Sequence, residues 1–187
     1  SLPEKFILYV GDVTWNKNLP RLVQAISQLD ISLVMVGKAL AEKDFDRANS
    51  WNADRVKLEE AIGGNKNILK LGFVSDDDLV VLYNAATAFV FPSLYEGFGL
   101  PVLEAMQSGC PVITTKEGSL AEVAGDGAYF VDAYREESIA DGIRKVFNDQ
   151  DLQKKLVEKG LQQAKKFSWK KTAEQTIAVY KKVVTST

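Results

Sequence analysis

The segment PSLYEGFGLPVLEA, residues 92–105, decides the fold, because a buried strand ends just before it and a helix begins inside it. Gly97 and Gly99 let the backbone approach a ligand closely. Pro101 suits the first helical turn, where its missing N–H leaves no partner unsatisfied. The free amides of that turn favour an anion or an oxygen-rich group. The segment therefore predicts a strand–loop–helix unit that binds a ligand.

Strands and helices alternate outward from this segment. Residues 6–10 form a continuous apolar run of the kind found in buried parallel strands, and further strands are predicted at 31–36, 67–71, 88–91, 112–114 and 129–131. Helical spacing follows Asn18, which is predicted to cap the first helix. A weakly periodic helix is predicted over 41–62. Ser75 is predicted to cap the next helix, which has Asp76, Asp77 and Asp78 in its first turn and a buried stripe of Leu79, Leu82 and Tyr83. The SDDD run also contains a D-x-D pattern, which can hold a metal ion, but its position before an apolar-periodic helix favours capping.

After the last strand, three helices are predicted at about 135–148, 151–166 and 169–184. The final helix is predicted to begin at a Ser168 cap and to bury an apolar stripe that consists of Trp169, Ala173, Ile177 and Tyr180. If it packs instead against a part of the protein outside this chain, Trp169 or Tyr180 is expected to be exposed. The whole pattern predicts an α/β fold, with a Rossmann-like parallel sheet of about six strands, helices on both faces and a C-terminal helical extension. A single domain over 1–187 is expected, with the core at about 1–150 and the C-terminal helices at about 151–187.

Composition excludes several kinds of chemistry. The chain has 187 residues, a net charge of −2 and a pI near 5.3, so a basic nucleic-acid-binding surface is not expected. One cysteine and no histidine exclude an intrachain disulfide, a Cys/His zinc cluster and histidine-dependent nucleophilic catalysis. No secretory leader or membrane-spanning run is evident, and residence in the cytoplasm is expected. The start without Met favours processing or an origin inside a longer protein.

Two carboxylates bracket the Gly97–Gly99 loop, since Glu96 and Glu104 lie eight positions apart. A carboxylate repels phosphate but accepts two hydrogen bonds from a vicinal diol, such as that of ribose or a hexose. Phosphate-binding amides between two diol-binding carboxylates match a sugar nucleotide. The competing interpretations are that Glu104 complements the helix dipole and that Glu96 pairs with a lysine.

Other loops at the carboxyl ends of the predicted strands supply further candidates. Lys17, in the loop GDVTWNKN, is suited to neutralise a diphosphate at a helix start, or it is an ordinary solvated lysine. The extended backbone at Phe73 and Val74 is suited to contact a base. The loop KEGSLAE either lines the same crevice or caps a short helix through its residues Gly118, Ser119 and Glu122.

Together these segments resemble family 4 of the retaining glycosyltransferases, which have the GT-B fold. The residues that carry the resemblance are YVG and KN (9–11 and 17–18), LVMVG (33–37), LGFVSDDDLVVLYNAA (71–86), FPSLYEGFGLPVLEAMQSGCPVI (91–113) and EGSLAEVAGDGAYFVD (117–132). The resemblance implies one half of a GT-B enzyme, namely the C-terminal domain that binds the nucleotide sugar. The N-terminal acceptor domain is expected to be absent from this chain.

The resemblance also implies roles for individual residues. Lys17 would bind the diphosphate, Glu96 the donor sugar and Glu104 the ribose hydroxyls, so that Lys17 and Glu96 are the candidate catalytic residues. The remaining substrate-binding candidates are Gly11, Val74, Gly97, Phe98, Gly99 and Leu100. Many family members have arginine where this chain has Asp12, and this departure weakens the assignment of the diphosphate site.

For the whole enzyme, the resemblance implies transfer of a hexosyl unit, with retention of configuration, from a UDP-, GDP- or ADP-linked sugar to a glycan or lipid-linked acceptor. Neither a cofactor nor a metal is expected, and peripheral contact with the inner face of the membrane is left open. The isolated domain is expected to bind donor without efficient transfer. The alternatives are a non-catalytic nucleotide-sugar-binding module and a fragment of a GT-B sugar-nucleotide epimerase.

Overall fold

The computed structural model describes residues 2–42 and 44–185. They form one six-stranded sheet in the order β3-β2-β1-β4-β5-β6, and every neighbouring pair is parallel. The strands are β1 (Phe6–Val10), β2 (Ser32–Val36), β3 (Ile68–Gly72), β4 (Ala88–Phe91), β5 (Val112–Thr114) and β6 (Ala128–Phe130). The predicted Rossmann-like sheet is confirmed.

The described helices cover both faces of the sheet. They are α1 (Leu19–Ser27), α2 (Lys38–Ala41), α3 (Ala53–Ile62), α4 (Asp76–Ala85), α5 (Leu100–Gln107), α6 (Leu120–Ala124), α7 (Glu136–Asn148), α8 (Gln150–Ala164) and α9 (Trp169–Thr185). The chain builds β1 to β3 in one direction and β4 to β6 in the other, and right-handed crossovers place the two sets of helices on opposite faces. Accordingly α1 packs with α3 and α7, while α5 packs with α6 and α8.

The reversal of strand order lies between β1 and β4, which pair directly through Ile7 with Ala88 and Leu8 with Phe89. In open parallel sheets such a reversal leaves a crevice at the carboxyl ends of the two strands. The loops that follow β1 and β4 are residues 11–18 and 92–99. Two of the predicted ligand-binding loops are thereby neighbours.

The cap predicted at Asn18 is wrong in its chemistry. Asn18 does precede α1, but its backbone is left-handed, with φ at 59°, and its side chain does not bond the helix start. A side-chain cap normally requires an extended backbone at that position. The buried Asn18 amide donates instead to the carbonyl oxygens of Pro92 at 3.0 Å and Ala133 at 2.7 Å. It therefore ties the start of α1 to the loops after β4 and β6.

The helix predicted over 41–62 is also wrong, because the described residues 44–49 are non-helical and precede a short 3-10 turn at Ser50–Asn52, which lies between α2 and α3. The polar sequence there has no apolar stripe to bury along a continuous helix. The helix cap predicted at Ser75 is confirmed, since its Oγ accepts from the Asp78 amide at 3.2 Å.

The burial predicted for the final helix is contradicted. No residue of α9 is buried, and Trp169, Ile177 and Tyr180 are 78%, 51% and 68% exposed. Its cap is as predicted, because the Lys171 amide donates to Ser168 Oγ at 3.1 Å. The apolar stripe exists, but no described element packs over it. None of the described helices is long and apolar enough to cross a membrane.

Candidate functional site

An ion pair joins the loops after β1 and β4. Lys17 Nζ lies 2.7 Å from Glu96 Oε1, and the two side chains are only 17% and 12% exposed. The ammonium group also lies 4.8 Å from the centre of the buried Phe91 ring, a favourable cation–π distance. Two candidate residues, 79 positions apart in sequence, therefore meet at the reversal point of the sheet.

Asn16 fastens the same two loops together. Its backbone carbonyl accepts from the Leu94 amide at 2.7 Å, and its side-chain amide donates to the Tyr95 carbonyl at 3.1 Å. The same amide nitrogen lies 3.4 Å from Glu96 Oε1, the oxygen that also accepts a hydrogen bond from Lys17. The Glu96 carboxylate is therefore held from the side of the first loop by a charged donor and a neutral one.

The loop after β5 holds the backbone of Glu96 from the other side. The Glu96 carbonyl accepts from the Ser119 amide at 3.1 Å and from the Ser119 hydroxyl at 3.0 Å. Gly118 has a left-handed φ of 60°, and a Cβ atom there would lie 2.3 Å from the same carbonyl oxygen. Of the two interpretations left open for this loop, lining the crevice describes these contacts, because Ser119 makes no side-chain cap bond to α6.

The helix predicted to begin after the Gly97–Gly99 loop is confirmed as α5, with Pro101 in its first turn. Gly99 precedes it with φ at 99°, and a Cβ atom there would lie 2.6 Å from Leu120 Cδ2. Gly97 differs, since an added Cβ would meet nothing within 4 Å. The side chains of Phe98 and Leu100 are 42% and 45% exposed. The helix start therefore faces open space next to Glu96.

Glu104 lies one turn further along α5 and is exposed. Its Oε2 accepts from the hydroxyl of Tyr83, a buried residue of α4, at 3.2 Å. Burial raises the pKa of Tyr83 far above its ordinary value, and the Glu104 carboxylate raises it further. Tyr83 is thus a proton donor at every physiological pH. The carboxylate is anchored through one oxygen.

Gly11 and Val74, two further candidates for substrate binding, make no contact with Lys17, Glu96 or Glu104 among the hydrogen bonds of the described residues. The Gly11 amide is already used in the sheet, where it donates to the Val36 carbonyl at 2.9 Å. Val74 follows β3, which is separated from β4 by β2 and β1, but it lies at the same carboxyl edge of the sheet. It precedes α4, whose first residue Asp76 lines one groove together with Glu104. Val74 therefore lies two residues before one wall of the groove that contains Glu104, and does not itself line it.

Asn16 and Tyr83 are functional candidates that sequence reasoning missed. Asn16 lies inside the GDVTWNKN loop, but nothing in its spacing indicates a partner 79 or 80 positions away. Tyr83 fits the apolar stripe of α4 and is predicted only as a core residue. Its ring is indeed buried, whereas its hydroxyl reaches α5, and a residue pattern carries no signal for such a contact. Within residues 2–42 and 44–185, no cluster of three or more acidic or cysteine side chains is suited to hold a metal ion.

Comparison with known proteins agrees with this geometry. The family model described as "Glycosyl transferases group 1" matches residues 2–163, most of the chain. The chain belongs to this family. Among curated relatives, this chain is 37% identical to O-antigen chain mannosyltransferase B of Escherichia coli, over 94% of this chain and 45% of that protein. It is 32% identical to a serotype-specific mannosyltransferase of Escherichia coli, over 100% of this chain and 23% of that protein.

Solved structures of several proteins share the architecture of this chain. A sucrose-phosphate synthase from Thermosynechococcus elongatus superimposes with a TM-score of 0.85 at 28% identity, over 100% of this chain and 47% of that chain. A glycosyltransferase from Rickettsia africae, at 23% identity and a TM-score of 0.81 over 97% of this chain and 48% of that chain, shares the fold. The chain therefore has the fold of one half of a GT-B enzyme, and it spans less than half the length of these relatives.

Proposed function

We propose that this chain is the donor-binding domain of a retaining glycosyltransferase, which moves a hexosyl unit from a nucleoside-diphospho-sugar to a glycan or lipid-linked acceptor. The observation that carries the proposal is the Lys17–Glu96 pair at the reversal point of the sheet, beside the exposed start of α5. A cation, a set of free amides and a carboxylate in one crevice match the phosphates and the sugar of such a donor.

In this proposal Lys17 and the amides of Gly97, Phe98, Gly99 and Leu100 bind the diphosphate and the adjoining sugar oxygens. Negative charge grows on the diphosphate as its bond to the sugar breaks. Donors that already point to that position stabilise the departing group without rearrangement. Lys17 is well placed for this role, because its ammonium group is held by Glu96 and by the Phe91 ring rather than moving freely in solvent.

Glu96 is proposed to bind hydroxyl groups of the donor sugar, and Glu104 those of the ribose. The Glu96 carboxylate is held by Lys17 and Asn16, which favours a positioning role over attack on the sugar. The proposed chemistry therefore needs no covalent intermediate on this chain. The sugar departs through an oxocarbenium-like state, and the acceptor enters from the same face with retention of configuration. No metal or cofactor is part of this scheme.

The curated relatives guide the choice of sugar. Several are described as mannosyltransferases, and another, from Agrobacterium fabrum, is described as a mannosylfructose-phosphate synthase and is 30% identical over 94% of this chain. A mannosyl group is therefore the first donor sugar to test, followed by glucosyl. The base is proposed to contact the backbone near Val74, where no side chain selects it, so all three common bases belong in the test.

A second domain is proposed to supply the acceptor site and to close over the donor. The exposed apolar side chains of α9, including Trp169, Ile177 and Tyr180, support this, because they form the stripe that a packed helix would bury. The isolated chain is expected to bind donor without efficient transfer, because the water-excluding half of the cleft is missing.

Calorimetric titration of this chain with UDP, GDP, ADP and their mannose and glucose conjugates, in the presence of a chelator, tests the proposal. We expect one base to bind selectively and one sugar to strengthen it. Glu104→Ala should weaken that binding at least tenfold, the loss expected when hydrogen bonds to a charged group disappear. Absence of binding to every nucleotide would overturn the proposal. Turnover by the full-length protein separates a transferase from a module that only binds the nucleotide sugar.

A further inference from the structure

Tyr83 and Glu104 form a hydrogen bond between α4 and α5, and this bond has no part in the chemistry proposed above. Tyr83 lies in the last three residues of α4, and Glu104 lies in the middle of α5. Their side chains meet at 3.2 Å, hydroxyl to Oε2, and the Tyr83 oxygen lies 3.4 Å from the Pro101 carbonyl. A hydroxyl has one proton, and the shorter, charge-assisted bond to the carboxylate is the stronger of the two.

The ring of Tyr83 cannot follow a moving carboxylate. It is 1% exposed, and it packs edge-to-face against Phe89 of β4 with ring centres 5.4 Å apart. Glu104 by contrast is exposed, and a free glutamate side chain has substantial rotamer entropy. The rigid tyrosine therefore limits the conformations of a flexible carboxylate.

We propose that Tyr83 is a positioning residue that directs Glu104 at the ribose and thereby makes the site selective for ribonucleotides over deoxyribonucleotides. This inference rests on the proposed function, because it assumes that Glu104 binds the ribose diol. With Oε2 held by Tyr83, the carboxylate presents Oε1, which has no hydrogen-bond donor among the residues that the structure describes, and one remaining acceptor direction on Oε2. A 2′,3′-diol places two donors side by side, so a carboxylate in one fixed orientation accepts from both.

The contact persists over the range in which the enzyme would work. Burial and the nearby carboxylate keep the Tyr83 hydroxyl protonated, since both raise its pKa. The orienting bond is therefore present at neutral and moderately alkaline pH, and selectivity should not titrate between pH 6 and about 9.

The test compares a nucleoside diphosphate with its 2′-deoxy and 3′-deoxy forms by calorimetry, using the base that the parent chain prefers. We expect the parent to bind the ribonucleotide about tenfold more tightly, because the deoxy forms lose a hydrogen bond to a charged group. Tyr83→Phe keeps the ring and removes the hydroxyl. It should weaken ribonucleotide binding about three- to tenfold, leave deoxynucleotide binding nearly unchanged and reduce the ratio to below about threefold.

Tyr9→Phe is the matched control, because it also removes one buried hydroxyl bond, the one to the Asp12 carbonyl at 3.0 Å. It should preserve the ratio whatever it does to overall affinity. Equal weakening of both nucleotide forms by Tyr83→Phe would overturn the inference, since a merely structural role predicts that result.

Failure of the proposed function looks different. The proposed function fails if the parent chain binds no nucleotide at all. If the parent binds nucleotides without preferring the ribonucleotide, the diol assignment of Glu104 and the positioning role of Tyr83 fail together. If the parent shows the preference and Glu104→Gln abolishes it, while Tyr83→Phe retains it, only the positioning role of Tyr83 is overturned. Loss of the preference in both variants, with normal thermal unfolding of Tyr83→Phe, supports both.

Discussion

Lys17 Nζ lies 2.7 Å from Glu96 Oε1 in the ligand-free structure, so the group proposed to bind phosphate is paired with the group proposed to bind the sugar. Both side chains are largely shielded from water. A diphosphate arriving at Lys17 must compete with Glu96 for the same ammonium group. A sugar hydroxyl that donates to Glu96 would reduce the cost of this exchange. In the proposed function, the pair would therefore couple recognition of the two parts of a donor.

Lys17→Ala should weaken nucleoside diphosphate binding about ten- to a hundredfold, because it removes a charge-assisted contact to phosphate. Binding of the matching nucleoside, which has no phosphate, should be nearly unchanged. Lys5→Ala is the control, since Lys5 precedes β1 at the opposite edge of the sheet and carries the same charge. Calorimetry of both variants measures the effect. Equal losses for nucleoside and diphosphate would contradict the assignment of Lys17.

Glu96→Gln should act in opposite directions on two ligands. Without the carboxylate, Lys17 is free of its competing partner, so the free nucleoside diphosphate should bind as tightly as before or a few-fold more tightly. The additional affinity supplied by the sugar should disappear, because a neutral amide accepts weaker hydrogen bonds than a carboxylate. Parallel titrations with the diphosphate and the nucleotide sugar measure this. Weakening of both ligands by the same factor would show that Glu96 serves only to hold the loop.

Gly118→Ala should destabilise the fold, because a left-handed φ of 60° is strained for alanine and its Cβ would lie 2.3 Å from the Glu96 carbonyl oxygen. We expect a loss of at least about 1–3 kcal/mol in unfolding free energy. Gly97→Ala is the matched variant, since an added Cβ meets nothing there. It should unfold like the parent but bind nucleotide sugar less well. Chemical denaturation and calorimetry on both variants separate the two effects, and equal stability of the pair would refute the structural argument.

Asp12→Asn should strengthen diphosphate binding about two- to threefold at low ionic strength, because it removes a negative charge from the loop that carries Lys17. Asp12 is exposed, so the gain should shrink as salt is added. Asp30→Asn, which removes the same charge before β2 at the opposite edge, should have no effect. Titrations at two salt concentrations measure the difference. An unchanged affinity in low salt would mean that Asp12 does not oppose the diphosphate.

Stability should fall in alkali partly through Cys110. Burial raises the pKa of this thiol to about 12, whereas the unfolded chain loses the proton near its ordinary value. Above pH 9 the unfolded state therefore binds fewer protons than the folded state, and unfolding becomes easier with each rise in pH until about 12. Cys110→Ala should reduce the steepness of this decline between pH 9 and 11, measured by denaturant titration. A decline equally steep in the variant would contradict the role of the thiol.

Local sequence determined much of this protein. All six predicted strands are present. The four inner strands, β2, β1, β4 and β5, are nearly completely buried and mostly apolar, because a strand covered on both faces leaves little room for polar side chains. Pro101 and Ser75 marked the starts of α5 and α4, because unsatisfied amides at a helix start impose residue preferences that any chain must obey. The resemblance carried by residues 91–113 predicts a site at the carboxyl edge of the sheet, where the loops after β1 and β4 lie side by side.

Tertiary structure alone decided which side chains meet. Lys17 reaches Glu96 because the sheet order brings β1 beside β4, and nothing in either loop specifies that neighbour. The Asn18 side chain does not cap α1 but donates to the carbonyl groups of Pro92 and Ala133, which only the folded chain brings near it. The sequence predicts Tyr83 as a core residue of α4, but only the folded chain shows that its hydroxyl donates a hydrogen bond to Glu104 on α5. The apolar stripe of α9 has the spacing of a helix that buries one face, but none of its residues is buried. Burial requires a partner surface, and the spacing of apolar residues does not specify that surface.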